Sequence, residues 1–193
     1  MVVPTLGSLV SGVIARAVSK GPRVYVSDAE DGMSGNGTQD DARQDDPVAL
    51  ARAFASARYH AELGGEPLDF GVGECVPEIE ERLPASEYAF ITAWNPDAES
   101  QPLVENTRSD DALVARLDAT GAPYRRTWAQ APDGGHREAG WLVAGLTAER
   151  ADAIGRDFAQ AGILAWRAAE PVRLHMLMPR PDGADLPHVD WIE

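Results

Sequence analysis

The sequence predicts an α+β domain, and three observations carry that prediction. Residues Tyr88 to Trp94 alternate at period two, with Tyr88, Phe90, Thr92 and Trp94 on one face and Ala89, Ile91 and Ala93 on the other. Both faces are largely apolar, so this run reads as an interior strand covered on two sides. Two later segments carry apolar residues at helical spacing, and each lies between strand-like runs. From Tyr88 onward the predicted order is strand, helix, strand, strand, helix, strand, strand.

The elements follow in chain order. Residues 1–20 resemble a targeting segment, but Pro4 and Gly7 interrupt the apolar run and no positive region precedes it, while Arg16 and Lys20 follow. The run is also too short and broken to span a bilayer. Residues 27–46 are rich in Ser, Asp, Gly, Asn and Gln and read as a disordered linker. Met33 lies within it, and a translation start there would leave residues 1–32 untranslated. A helix is expected over 47–63: Asp46 caps it, Pro47 suits its first position, Leu50, Phe54, Ala57 and Ala61 form one stripe, and Gly64 ends it. Leu68 to Val72 is a short strand. A brief helix from Pro77 pairs Ile79 with Leu83 and closes at Pro84.

Asn95-Pro96 ends the Tyr88–Trp94 strand, because proline has no amide to give a ladder and asparagine suits a turn. Asn106 or Ser109 is expected to cap the next helix, with Asp110 and Asp111 in its first turn and Leu113 and Leu117 facing inward. Gly121 and Pro123 stop it. Tyr124 to Gln130 reads as a strand and, with Arg125 and Arg126 on it, as an edge. Asp133-Gly134-Gly135 marks a turn before an apolar strand from Trp141 to Leu146. Thr147 caps a last helix that buries Ala151, Ile154 and Phe158 and ends at Gly162. Ile163 to Arg167 and Val172 to Leu177 are two further strands. Two β-α-β halves around an antiparallel sheet give a ferredoxin-like pattern, βαββαβ plus an added strand. The helices cover one face and the 47–84 segment, with its extra N-terminal helices, covers part of the other. The domain limits read as 1–46 for the N-terminal segment and acidic linker, 47–178 for a single α+β domain, and 179–193 for a Pro-rich tail, loose or docked.

Composition narrows the function. Hydrophobic content of 44% and charged content of 25% over 193 residues are ordinary for a globular protein with a real core. The net charge is −14, and acidic residues outnumber basic ones on both sides of Asp46. Such a surface repels phosphate backbones and anionic headgroups, which argues against nucleic acid and membrane as partners. Cys75 is the only cysteine, so no internal disulfide forms and nothing points to an oxidising compartment. A cytoplasmic protein is expected.

The familiar catalytic motifs are missing. Gly71-Val72-Gly73-Glu74 invites a phosphate-loop reading, but Glu74 puts a carboxylate where phosphate would sit, so a tight turn is the better account. His60, His136, His175 and His188 are scattered, with no metal-ligand spacing, and neither metal nor cofactor is expected. His175, between Leu174 and Met176, reads as structural. There is no Gly-x-Ser-x-Gly elbow, and Cys75 has no identifiable histidine partner. What remains is a polar cluster: Thr92 and Asn95 at the end of the central strand, Glu105 and Asn106 at the entry of the next helix, Glu138 before Trp141, and Gln160 at the end of the last helix. Such groups can orient a small ligand, and Glu105 or Glu138 can serve as a general base. Local caps and turn bonds are the simpler reading of the same residues.

The same residues carry a family resemblance. Phe90-Ile91-Thr92-Ala93-Trp94-Asn95-Pro96, Glu105-Asn106, Glu138 before Trp141-Leu142-Val143-Ala144-Gly145, and Gly155-Arg156-Asp157-Phe158-Ala159-Gln160 resemble the bacterial domain-of-unknown-function family numbered 3293, over about residues 48–178. The sequence departs after Gln160, where Ala161-Gly162 stands in place of Asn-Ala. The resemblance implies a small cytoplasmic bacterial domain and a shared site at Thr92, Asn95, Glu105, Asn106, Glu138 and Gln160. It supplies no activity. Two functions stay open: a non-catalytic module that binds a small ligand, a protein or a second copy of the chain, which is favoured, and a small hydrolase with a carboxylate base and Asn95 facing developing negative charge. The enzyme requires the carboxylate and Asn95 to converge on one cleft. The module requires a closed polar network, or an apolar patch near Trp128 and Trp141.

Overall fold

A computed structural model describes residues 46–193. The readings of the segment 1–20, of the linker up to 45 and of a start at Met33 lie outside the described residues. Within them, helix α1 (Pro47–Ser56) begins as expected, with the Asp46 side chain accepting from the Val48 amide at 2.9 Å. It stops at Ser56 and does not run to 63. Ala57 is already extended, and Arg58–Ala61 form strand β1. The helical stripe through Ala57 and Ala61 therefore misleads. Arg58-Tyr59-His60-Ala61 also alternates, and as a strand it buries Tyr59 and Ala61 while pairing on both edges, which outweighs a continued helix.

The remaining elements are β2 (Leu68–Phe70), α2 (Pro77–Arg82), β3 (Glu87–Ile91), α3 (Leu103–Asp118), β4 (Tyr124–Gln130), β5 (Glu138–Ala144), α4 (Ala148–Asp157), β6 (Gly162–Arg167), β7 (Arg173–Met176) and β8 (Val189–Trp191). The fold is α+β, as expected, but the sheet is larger than a four-stranded core with one addition. Its eight strands run in the order β2-β1-β4-β5-β3-β6-β7-β8. Neighbours are antiparallel except β7 and β8, which are parallel. The Pro-rich tail contributes β8, held by a bidentate Arg173–Asp190 pair and by Arg156 donating to the Ile192 and Glu193 carbonyls.

The extra strands correct one expectation directly. β4 is not an edge, because β1 covers it on one side and β5 on the other. Arg126 is accommodated on the α3 side, where it donates to Asp110 at 2.8 Å and lies 4.6 Å from the centre of the Trp141 ring, while Arg125 is exposed and donates to the Tyr124 carbonyl. Two helix-end assignments also change. α3 begins at Leu103 with no side-chain cap, so neither Asn106 nor Ser109 starts it. α4, capped by Thr147, ends at Asp157, and Gly162 opens β6.

β3 lies at the centre of the sheet, between β5 and β6. Its two faces enter separate cores. Ala89, Ile91 and Ala93 pack with Leu113 and Leu117 of α3 and Ile154 of α4. Tyr88 and Phe90 pack with Tyr59, Phe70, Leu164 and Trp166 on the side covered by α1 and α2. Each large apolar side chain fully buried this way contributes about 1.5–3 kcal/mol. Glycine is needed at 140: a Cβ there would lie 2.7 Å from the Phe90 ring and 2.8 Å from the Ile91 carbonyl oxygen. The Gly71–Glu74 segment is a turn, as expected. Gly73, at φ +84°, donates its amide to Val172, and Glu74 pairs with Arg58 at 2.5 Å.

Candidate functional site

After β3 the chain turns sharply, and the polar cluster is organised by that turn. Asn95 adopts the left-handed conformation (φ 49°, ψ 57°), followed by Asp97 at φ 56° and Ala98 at φ 58°. Asparagine tolerates this region, whereas alanine pays about 1–2 kcal/mol there. The turn is held to the end of α4 by the Asp97 amide, which donates to the Ala159 carbonyl at 2.7 Å. Strain kept in place by tertiary contacts is a common feature of functional sites.

Asn95 is the hub. Its Nδ2 donates to Glu138 Oε1 at 2.5 Å, and its Oδ1 accepts from the Gln101 amide at 2.9 Å and from Asn106 Nδ2 at 3.0 Å. Asn106 Oδ1 in turn accepts the Asn95 amide at 2.9 Å. The buried Asn106 side chain thus faces the turn, a tertiary partner in place of a helix cap. Thr92 donates to the Ala139 carbonyl at 2.7 Å and accepts from the Trp94 amide at 3.0 Å. Gln160 Nε2 bonds the carbonyls of Trp94 at 3.1 Å and Phe158 at 3.2 Å. The structure therefore brings together Asn95, Asn106 and Glu138, with Thr92 and Gln160 at the same end of the sheet. Glu105 stands apart, exposed and paired with Arg108 at 2.7 Å.

Thr92, Asn95, Glu138 and Gln160 border a cleft of about 280 Å³ between α1 and the sheet, just below the usual range for drug-sized ligand sites and so suited to a small molecule. Its walls are apolar: Leu50 and Phe54 of α1, Phe90, Leu164 and Leu174 of the sheet. Tyr59 and His136 also border it. Burial pushes the Glu138 carboxyl above the usual carboxylate range, against the lowering effects of the Asn95 hydrogen bond and of His136. Burial and the Glu138 charge together raise the Tyr59 phenol. The sequence does not single out Phe54, Tyr59, Phe90 or His136 as cleft residues. The Leu50–Phe54 stripe signals a buried helix face, but only packing decides whether that face seals or leaves a gap.

Other candidates resolve differently. His175 is buried against Asp152 at 2.8 Å, a closed pair in the α4 core. Trp128 and Trp141 form no bare apolar patch: Arg137 lies 4.3 Å from the Trp128 ring centre, His60 stacks on the same ring, and Trp141 Nε1 donates to Asp110. Cys75 is exposed. Among the described residues no group of three or more His, Cys, Asp or Glu could hold a metal ion, and no helix is long and apolar enough to cross a membrane.

Residues 91–163 match the model of the DUF3293 family, a protein of unknown function. The matched stretch runs from the last residue of β3 into β6 and contains Thr92, Asn95, Asn106, Glu138 and Gln160, so the resemblance carried by these residues holds over that stretch. No curated protein and no solved structure matches the chain.

Proposed function

We propose that this chain is a small-molecule-binding module whose site is the cleft between α1 and the sheet, with Glu138 at its polar end and Asn95 as the residue that positions it. The observation that carries this reading is the Asn95 hub, which ties the strand end, the α3 entry and Glu138 together at the edge of an apolar cleft. Thr92 and Gln160 shape the same end of the site through bonds to the backbone. Glu105 has no part in it. A soluble, cytoplasmic bacterial setting goes with this reading, supported by the strongly acidic chain and its single cysteine. In the same reading the unit from β3 to β6 is a ferredoxin-like core, supported by its order β4-β5-β3-β6 and by α3 and α4 each joining strands separated by one neighbour.

The hydrolase reading draws on one observation, the raised proton affinity of Glu138 in a cleft it shares with Asn95. It is the weaker account because Asn95 Nδ2 already donates to Glu138, so the amide meant to face developing negative charge is engaged by the intended base. Native mass spectrometry of the full chain isolated from its own host tests the binding reading. A bound small mass that disappears on Asn95→Ala is expected. A bare chain, or a mass that the substitution leaves in place, would overturn it.

A further inference from the structure

We propose that the ligand of this cleft is a small lipophilic amine, its ammonium group set against Glu138 and its hydrocarbon body between α1 and the sheet. This inference rests on the binding reading above and adds the chemistry of the occupant. It follows from which hydrogen-bonding groups the cleft has left to offer. Most side-chain donors around it are spent on the protein: Asn95 Nδ2 on Glu138, both Gln160 bonds on carbonyls, Thr92 on Ala139, and the Tyr59 hydroxyl on Phe54, while Trp94 Nε1 is buried with no partner among the described residues. Acceptors remain. Asn95 engages Glu138 through Oε1, while Glu138 Oε2 and Gln160 Oε1 have no hydrogen-bond partner among the described residues.

Charge points the same way. Among the described residues no arginine or lysine borders the cleft, so an anionic ligand would meet Glu138 with no described cation to offset the repulsion. An ammonium meets a carboxylate already held in place by Asn95, in a cleft that Phe54 and Phe90 also line. The net charge of −14 adds a long-range field that draws cations toward the surface. Among the described residues the titratable groups facing Glu138 are His136, in the loop before it, and Tyr59 on β1, while α1 lines the cleft with the apolar Leu50, Ala53 and Phe54. Protonating Glu138 removes the charge the amine needs. Amine binding is therefore expected to weaken as pH falls through the raised Glu138 range, and binding of a neutral analogue to stay level.

The experiment is calorimetric titration of the full chain with three six-carbon probes: n-hexylamine, 1-hexanol and hexanoate. Hexylamine is expected to bind at least tenfold more tightly than hexanol, with hexanoate weakest, and Glu138→Gln to bring hexylamine down to hexanol. Ala53→Trp, at an exposed cleft position on α1, is expected to block every probe without touching Glu138. If hexanol or hexanoate binds as well as hexylamine, the amine inference falls and the cleft reading stands. If no probe binds, both fall. If hexylamine still binds to Ala53→Trp with undiminished affinity, the amine lies elsewhere and the inference is overturned.

Discussion

The two faces of the sheet are built from the same strands and end in opposite states. On the α3–α4 side, Ala89, Ile91, Leu113 and Ile154 close against one another, and the buried ionisable pair there, Asp152 with His175, is complete within the protein. On the α1 side, Tyr88 and Phe90 start an equally apolar core, but α1 leaves a cleft of about 280 Å³ along it. The carboxylate at that cleft, Glu138, is held among the described residues through one oxygen. The difference shows how one central strand can supply stability and a site at once. Helices that present continuous large apolar stripes seal their face. A ten-residue helix with alanines at 49, 51, 53 and 55 covers less of its own.

The sharpest way to break this comparison is to truncate one large side chain on each face. Leu113→Ala removes a fully buried side chain from the closed core and is expected to cost about 2–5 kcal/mol of stability in denaturant unfolding. Phe54→Ala borders an existing gap and is only partly buried, so its cost is expected to stay under about 2 kcal/mol while probe binding is lost. Equal costs would erase the distinction between the faces.

A smaller effect sharpens it. The folded-state proton affinity of Glu138 is raised, so the folded protein binds a proton more readily than the unfolded chain. That contribution to stability is present below the raised range and lost as pH climbs through it, the reverse of a salt-bridged carboxylate. Glu138→Gln can still accept from Asn95 and is expected to match or slightly exceed the native stability at pH 7. The difference should vanish as the medium is acidified through the raised Glu138 range. Thermal unfolding at several pH values checks this, and a Glu138→Gln protein clearly less stable at pH 7 would show that the carboxylate is structural.

Much of the fold is legible in the sequence because its signals are local. Tyr88–Trp94 alternates without interruption, Leu113 and Leu117 mark one helical face, and Asp46 and Thr147 are caps next to the helices they start. Arg58–Ala61 fits both a helical stripe and an alternating strand, and the pairing that decides between them comes from the nearby β2 and from β4, distant in sequence. The same non-locality makes β4 an interior strand despite Arg125 and Arg126. For the candidate site, Asn95, Asn106 and Glu138 are visible as polar residues at element ends. Glu105 is adjacent to Asn106 yet faces solvent, because neighbours on a helix point about 100° apart. The cleft itself leaves no mark in the sequence, since a gap is a property of how α1 rests on the sheet and not of any one residue.

Amide chemical-shift mapping of the full chain titrated with 1-hexanol, a probe that does not depend on charge, tests the central claim most directly. The account predicts shifts that cluster at Phe54, Phe90, Glu138 and Gln160 and leave Leu113 and Ile154 in place. Shifts centred on α3 and α4, or none at all, would contradict a sheet closed on one face and open on the other.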